Sequence, residues 1–438
     1  MKRLLCILAA LVCAVPAVMA QRVNAYAPVF LRVEKTEGVY QKGETVRVWA
    51  DVSSDAATQL LLMVSENGNY PAVKEISLPE GTSMVFEQVY DSSVWVTVSV
   101  APASNRNNAS MVGFIVAPQD FKPGFDEPDD LMSWWQGEID AMRAVPATAI
   151  VKEEDYSDSA FRVFSIEVSM HEGNPVRGYV AIPSSAAKGS LPVYFFAHGA
   201  GTPKALFTHA SKERAVSFAG HGAIGVDINA HGMLNDAPDE YYALLDTTSL
   251  LLYQERPVRD RESYYFRLMF LRMVRALDYV CSLPEWDGSR VLLFGESQGG
   301  AQSFALAGLD SRVGAVVGIV PAMTDLGGPL YDRRGGWPYN IRPMIPLSSH
   351  GRETLPYFDG AQFLKHFKGK LYIEAGLVDT TCPPCGVAAG FNSSGASYKE
   401  IHFWPHRGHT YWGSDSDWQE WNEKILSVRE QFISDYLK

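Results

Sequence analysis

The sequence predicts two architectures in one chain: a small all-β, immunoglobulin-like sandwich, then an α/β domain with a doubly wound, mostly parallel sheet. Three observations predict this. Over 27–116 apolar residues alternate with period two, whereas from 161 onward short apolar runs alternate with helix-spaced segments. A turn-rich stretch, Gln119-Asp120-Phe121-Lys122-Pro123-Gly124-Phe125, separates the two regimes. One apolar run, Val291-Leu292-Leu293-Phe294, halts at Gly295-Glu296-Ser297-Gln298-Gly299 and is followed by helix-compatible residues over 300–306.

Taken in order, Met1-Lys2-Arg3 precedes an apolar run over 4–18 that ends Val18-Met19-Ala20. A basic start, an apolar run of this length and small residues at its end predict a secretory signal over 1–20. No other apolar run is long enough to span a bilayer, so no membrane partner is expected after cleavage. Beyond residue 20 only Cys281, Cys382 and Cys385 remain, so an apolar core rather than a disulfide framework must hold the protein together. The net charge of −12 argues against nucleic acid or an anionic membrane surface as partner.

The sandwich is expected over 21–117. Val46, Val48, Ala50 and Val52 alternate with Thr45, Arg47, Trp49 and Asp51, and Val94, Val96, Val98 and Val100 repeat the pattern. Turn clusters such as Glu66-Asn67-Gly68-Asn69 and Pro79-Glu80-Gly81 separate the strands. Trp49 or Trp95 would suit a sugar face if exposed, and otherwise a core or a domain interface.

The second domain is expected over 118–438. Leu131, Trp134, Trp135, Ile139 and Met142 have helical spacing, with Pro128, Asp129 and Asp130 suited to a first turn. Strands follow over 161–169 and 176–182, joined at Gly173-Asn174, as an opening antiparallel pair. Continuous apolar strands are predicted over 193–197 and 223–228, an amphipathic helix over 262–281, and later strands over 313–320, 370–375 and 400–404.

Strand, Gly-x-Ser-x-Gly, helix is the context of a nucleophile elbow, a turn so tight that its flanking positions admit little more than glycine. Ser297 is thus the candidate nucleophile, and the chain must supply a base, an acid and an oxyanion hole. Phe196-Ala197-His198-Gly199-Ala200-Gly201 ends an earlier strand, where backbone N–H groups of Ala200 and of Gln298 could hold an oxyanion. Asp379 follows the strand over 370–375, two strands after the serine, with Asp325 as competitor; Glu374 lies within the strand and should point elsewhere. Beyond the last strand His409 follows Gly408, with His406 as competitor and His402 packed within the strand. The order Ser, Asp, His is that of α/β-hydrolases. No His-Glu-x-x-His occurs, and Cys382-Pro383-Pro384-Cys385 lacks a second cysteine pair to complete a zinc site, so neither metal nor other cofactor is expected. Those two cysteines suit either a disulfide beside the acid or two reduced thiols.

Gly295-Glu296-Ser297-Gln298-Gly299-Gly300, together with Gly376-Leu377-Val378-Asp379 and Pro383-Pro384, resembles the acetyl xylan esterase and cephalosporin C deacetylase family. The resemblance runs from about Phe121 onward and includes Pro284-Glu285-Trp286-Asp287. It implies Ser297, Asp379 and His409 as the triad, Ala200 and Gln298 as oxyanion donors, and an acetylated carbohydrate as substrate. Departures stand at Asp227-Ile228-Asn229-Ala230-His231-Gly232, where the family favours Asp-x-Arg-Gly-Gln-Gly, at Ala200, where it favours Tyr, and at Gly408-His409-Thr410, where it favours Gly-His-Glu. The segment 232–260, with Tyr241, Tyr242 and Tyr253, and Gly335-Gly336-Trp337-Pro338 are expected at the cleft mouth. The added sandwich suggests a secreted, divergent branch acting on glycans. The alternatives are a general short-chain esterase or peptidase of the same fold, and a glycan-binding protein with an inactivated hydrolase domain.

Overall fold

Eight strands fill the region of alternating apolar residues, and nine more form one large sheet beyond it. They are seen in a computed structural model that describes residues 26–56, 58–201, 209–256, 258–341, 347–409 and 419–438. The expected signal segment and Thr410 lie outside the described residues.

The first eight strands are β1 (Val29–Val33), β2 (Val39–Tyr40), β3 (Thr45–Val52), β4 (Leu60–Glu66), β5 (Ala72–Ile76), β6 (Gly81–Val89), β7 (Val94–Pro102) and β8 (Ser110–Val116). They form a three-stranded sheet, β1-β3-β6, and a five-stranded sheet, β2-β8-β7-β4-β5. Val46, Val48 and Ala50 from the first sheet and Val96, Val98 and Phe114 from the second share one apolar cluster, so the two faces close on each other.

β7 departs from simple alternation. Its even-numbered valines enter the sandwich core, but Trp95, Thr97 and Ser99 on the opposite face are buried as well. Trp95 is fully buried and, with Ile115, belongs to the apolar core of the second domain. It is therefore closed to a sugar, while Trp49 is half-buried. The expected linker is not loose either. Phe121 and Phe125 enter that same core, and the Gly124 N–H donates to Asp325 Oδ1 at 2.6 Å.

The large sheet has the order β17-β16-β15-β14-β12-β13-β11-β10-β9. Its members are β9 (Ala149–Glu154), β10 (Phe161–Val168), β11 (Val176–Pro183), β12 (Leu191–Ala197), β13 (Ile224–Ile228), β14 (Trp286–Glu296), β15 (Ala315–Ile319), β16 (Lys370–Gly376) and β17 (Tyr398–Trp404). From β13 through β12 to β17 neighbours are parallel; β9, β10, β11 and β13 pair antiparallel. The opening unit is thus three antiparallel strands, not the expected pair. β9 escapes notice because Lys152, Glu153 and Glu154 dilute its apolar pattern at an exposed edge.

The helix Leu131–Ala144 buries Leu131, Trp135, Ile139 and Met142. Pro128 and Asp129 precede it, and Asp130 at its N-cap makes no side-chain cap; its carboxylate receives Tyr357 and Arg261 instead. The helix Phe266–Val280 is buried along most of its length, as a crossover against a doubly covered sheet must be. After β12 the chain steps to β13 on one side and later returns to β14 on the other. The carboxyl ends of β12 and β14 therefore flank the switch point, where open α/β sheets form their crevice.

Candidate active site

At the end of β14, Ser297 adopts φ 55° and ψ −119°, a conformation costly for a residue with a Cβ. The surroundings over-determine it. Its N–H donates to Ile319 O at 2.9 Å, and its carbonyl accepts from Ala322 N–H at 2.9 Å. The helix Gln298–Leu309 starts at once. A Cβ on Gly295 would sit 2.1 Å from Gly299 O, and one on Gly299 would sit 2.0 Å from Ala197 O. The glycines thus allow strand, helix and the neighbouring strand end to meet.

Two loops converge on the serine. His409, after β17, places Nε2 2.9 Å from Ser297 Oγ and Nδ1 2.9 Å from Asp379 Oδ2. Asp379, after β16, is fully buried, and its Oδ1 accepts from the N–H groups of Thr381 and Cys382 at 2.8 and 2.9 Å. With Nδ1–H donated to the carboxylate, Nε2 is left free to accept the Ser297 hydroxyl proton. The enclosed surroundings oppose a charge on His409, but Asp379 outweighs them and holds the imidazole pKa well above its ordinary value.

The competitors sit elsewhere. Asp325 accepts from Arg333 Nη2 at 2.7 Å and from the Gly124 backbone. His406 bonds to Leu31 O at 2.7 Å, and the half-buried His402 ring tilts against Tyr372. Glu374 points to Arg407 and Arg429, as its place within the strand requires.

The loop bearing Ala200 runs beside the serine: a Cβ on Gly199 would lie 3.8 Å from Ser297 Cβ. Two interactions hold this loop. Gln302 Nε2 donates to His198 O at 2.9 Å, and the His198 ring bonds to Asp227, whose other oxygen accepts from Arg214 at 2.9 Å. The buried Gln298 side chain is fixed by Tyr253, whose hydroxyl donates to Oε1 at 2.6 Å. None of these partners was singled out for this from sequence, because each contact joins residues from separate elements.

The departures take structural form. Asn229 is buried and organises its loop, accepting from Ala210 N–H at 2.9 Å and donating to Asn235 and Met233. His231 Nδ1 lies 2.7 Å from the Tyr265 hydroxyl, and its ring meets Tyr253 at 4.6 Å. Burial, aided by Arg272 and His198, pushes its pKa down to about 3, so the ring is neutral. Tyr242 and Tyr253 are buried rather than displayed, and Trp337 N–H donates to Thr381 O at 2.8 Å, in the loop that carries Asp379.

Cys382 and Cys385 are free thiols. One ligand atom each of Asp379, Cys382 and His409 lies within 4.8 Å of the other two, the one such group of three among the described residues. The imidazole is already joined to Ser297 and the carboxylate to the imidazole, and burial pushes the Cys382 thiol up, which keeps it protonated.

With this geometry in view, the family described as acetyl xylan esterase (AXE1) matches residues 117–424. Acetyl esterase Axe7A of Xylanibacter ruminicola is 32% identical over 276 residues, which cover 62% of this chain and 61% of that protein. The chain thus spans about three-fifths of that curated relative. Among solved structures, the acetyl xylan esterase from Paenibacillus sp. R4 is 25% identical, with a TM-score of 0.59 over 73% of this chain and 98% of its own. Acetyl xylan esterase 1 from Thermoanaerobacterium sp. JW/SL YS485 is 20% identical with a TM-score of 0.58 and the same coverage, a likeness of fold. The family match covers well over half of the chain, and the chain belongs to the acetyl xylan esterase family.

Proposed function

We propose that this chain is a secreted or periplasmic carbohydrate esterase that removes acetyl groups from plant-type polysaccharides or oligosaccharides. Its α/β-hydrolase domain, 118–438, carries the chemistry, and the immunoglobulin-like sandwich, 21–117, precedes it after a signal over 1–20. The observation that carries the reading is the continuous chain from Ser297 Oγ through His409 to Asp379, with both contacts at 2.9 Å.

In this scheme His409 Nε2 takes the Ser297 proton as Oγ adds to the ester carbonyl. The carbonyl oxygen becomes an oxyanion, held by the N–H groups of Ala200 and Gln298. His409 gives its proton to the departing sugar oxygen as the ester C–O bond breaks, leaving an acetyl group on Ser297. Water then loses a proton to His409 and attacks the acetyl carbonyl; acetate departs and the proton returns to Oγ. Asp379 orients His409 and stabilises the imidazolium throughout. The scheme uses no metal or other cofactor. Family membership and the names of the relatives, acetyl esterase and acetyl xylan esterase, support acetate as the acyl group.

The test is hydrolysis of 4-nitrophenyl acetate by wild type and Ser297→Ala, followed by acetate release from acetylated xylan, pectin and mannan. Ser297→Ala should lose several powers of ten in kcat. Wild-type turnover by that variant would overturn the mechanism. An acetyl-shaped pocket should also reject octanoate esters, at about 1–3 kcal/mol per badly placed methylene. Equal rates on both would leave a general esterase.

A further inference from the structure

The sandwich grips the acid and base loops themselves. Trp95 on β7 donates its indole N–H to Leu377 O at 2.7 Å, a buried bond two residues ahead of Asp379. Gly113 on β8 donates its N–H to Pro405 O at 2.8 Å, four residues ahead of His409, and a Cβ there would lie 1.9 Å from Leu377 O. The His406 ring bonds to Leu31 O of β1 at 2.7 Å and tilts against Phe30. On the far side of Asp379, Arg334 reaches Thr380 O with Nε at 3.0 Å while its own N–H donates to Asn67 O at 2.8 Å. The two loops are also tied to each other, Leu377 N–H to Trp404 O at 2.9 Å and Val378 N–H to Arg407 O at 3.1 Å.

These bonds satisfy backbone groups in the segments that carry the acid and the base, and buried backbone groups rarely go without partners. A carboxylate displaced by 1 Å orients its imidazole poorly, which can cost about a hundredfold in rate. From this we infer that the N-terminal sandwich is a working part of the hydrolase site, with Trp95 and Gly113 as positioning residues for Asp379 and His409. The inference rests on the assignment of those two as acid and base. The groups facing His409 are Asp379 and Cys382 from the acid loop and Ser297 from the elbow. Of these Asp379 is the charged one, so loosening its loop takes from the imidazole the charge that holds its proton.

The test is full-length Trp95→Phe, which keeps a ring but removes the indole N–H, with kcat, KM and the pH profile of kcat/KM measured on 4-nitrophenyl acetate beside a thermal melt. The expected result is a kcat lower by about tenfold or more, a KM within about twofold, and an acid limb moved to lower pH. Gly113→Ala should do the same more strongly. If either core variant fails to fold, His406→Phe makes the same test at Leu31, and His406→Gln, which keeps an N–H donor, should restore much of the loss. Folded variants with wild-type kcat and an unmoved acid limb would overturn the inference. So would a loss that disappears when the assay is cooled below the variant's melt. Because Ser297→Ala tests the triad separately, an inactive Ser297→Ala beside a normal Trp95→Phe removes only the role of the sandwich.

Discussion

Glu374 accepts from Arg407 Nη1 at 2.6 Å, and both side chains are buried. Its second oxygen takes Arg429 from the C-terminal helix, Ser427–Leu437, at 3.2 Å. One carboxylate thus joins β16, the loop that carries His409, and the end of the chain. Glu374→Gln takes the nearest carboxylate charge from two buried guanidinium groups, with Glu430 Oε1 still 3.7 Å from Arg429 Nε. A loss of about 3–5 kcal/mol is expected, visible as a lower denaturant midpoint. An unchanged midpoint would mean that Glu374 is dispensable.

The pH profile follows from His409. Only the neutral imidazole can accept the Ser297 proton, so kcat/KM should rise with pH through the His409 pKa. Asp379 holds that pKa above the ordinary 6.5, against the opposing effect of burial. Half-maximal kcat/KM is therefore expected above pH 6.5. Asp379→Asn should move the limb to lower pH and cut kcat by several powers of ten, because the imidazole loses its preferred tautomer. A limb at or below pH 6 in the wild type would contradict this.

Tyr253→Phe should act on the elbow without touching the triad. It removes the hydroxyl that donates to Gln298 Oε1 at 2.6 Å, and the buried amide oxygen is left without that donor. Such a loss costs about 1–3 kcal/mol. Since the Gln298 N–H is a proposed oxyanion donor, part of the cost should appear in kcat at constant KM. A variant with wild-type kcat and stability would disconnect Tyr253 from the site.

Reductants should do nothing. Cys382 and Cys385 are free and buried, so dithiothreitol should leave both the melting temperature and the turnover of 4-nitrophenyl acetate unchanged. A lowered melt would reveal a disulfide beside Asp379.

The fold class was legible because its signals are local. The apolar run into Gly295-Glu296-Ser297-Gln298-Gly299 announces strand, turn and helix within a few residues, and Asp379 and His409 each stand just beyond a strand end. β9 was illegible because its edge position exposes Ile150 and Val151 among charged residues. Trp95 shows the harder limit. Its place on β7 is plain from alternation, but nothing near it says that the second face of the strand is covered. Glu374 could be excluded as the acid from its position inside β16, yet its two arginines lie in separate elements. Contacts of this kind are set by topology, and a periodicity reports only the element in which it occurs.

The bond from Trp95 to Leu377 joins positions 282 residues apart, and Arg429 is needed to complete the partners of Glu374. Synthesis runs from the first of these to the last, so the nascent chain carries Ser297 well before it can carry an organised acid and base. Under this inference, a polypeptide cut short between Gln298 and Asp379 would hold the proposed nucleophile without the means to activate it. Incomplete products would therefore be silent rather than poorly selective hydrolases. The same order sets the rule for engineering, since a cut at the apparent linker would open a shared core rather than release a module.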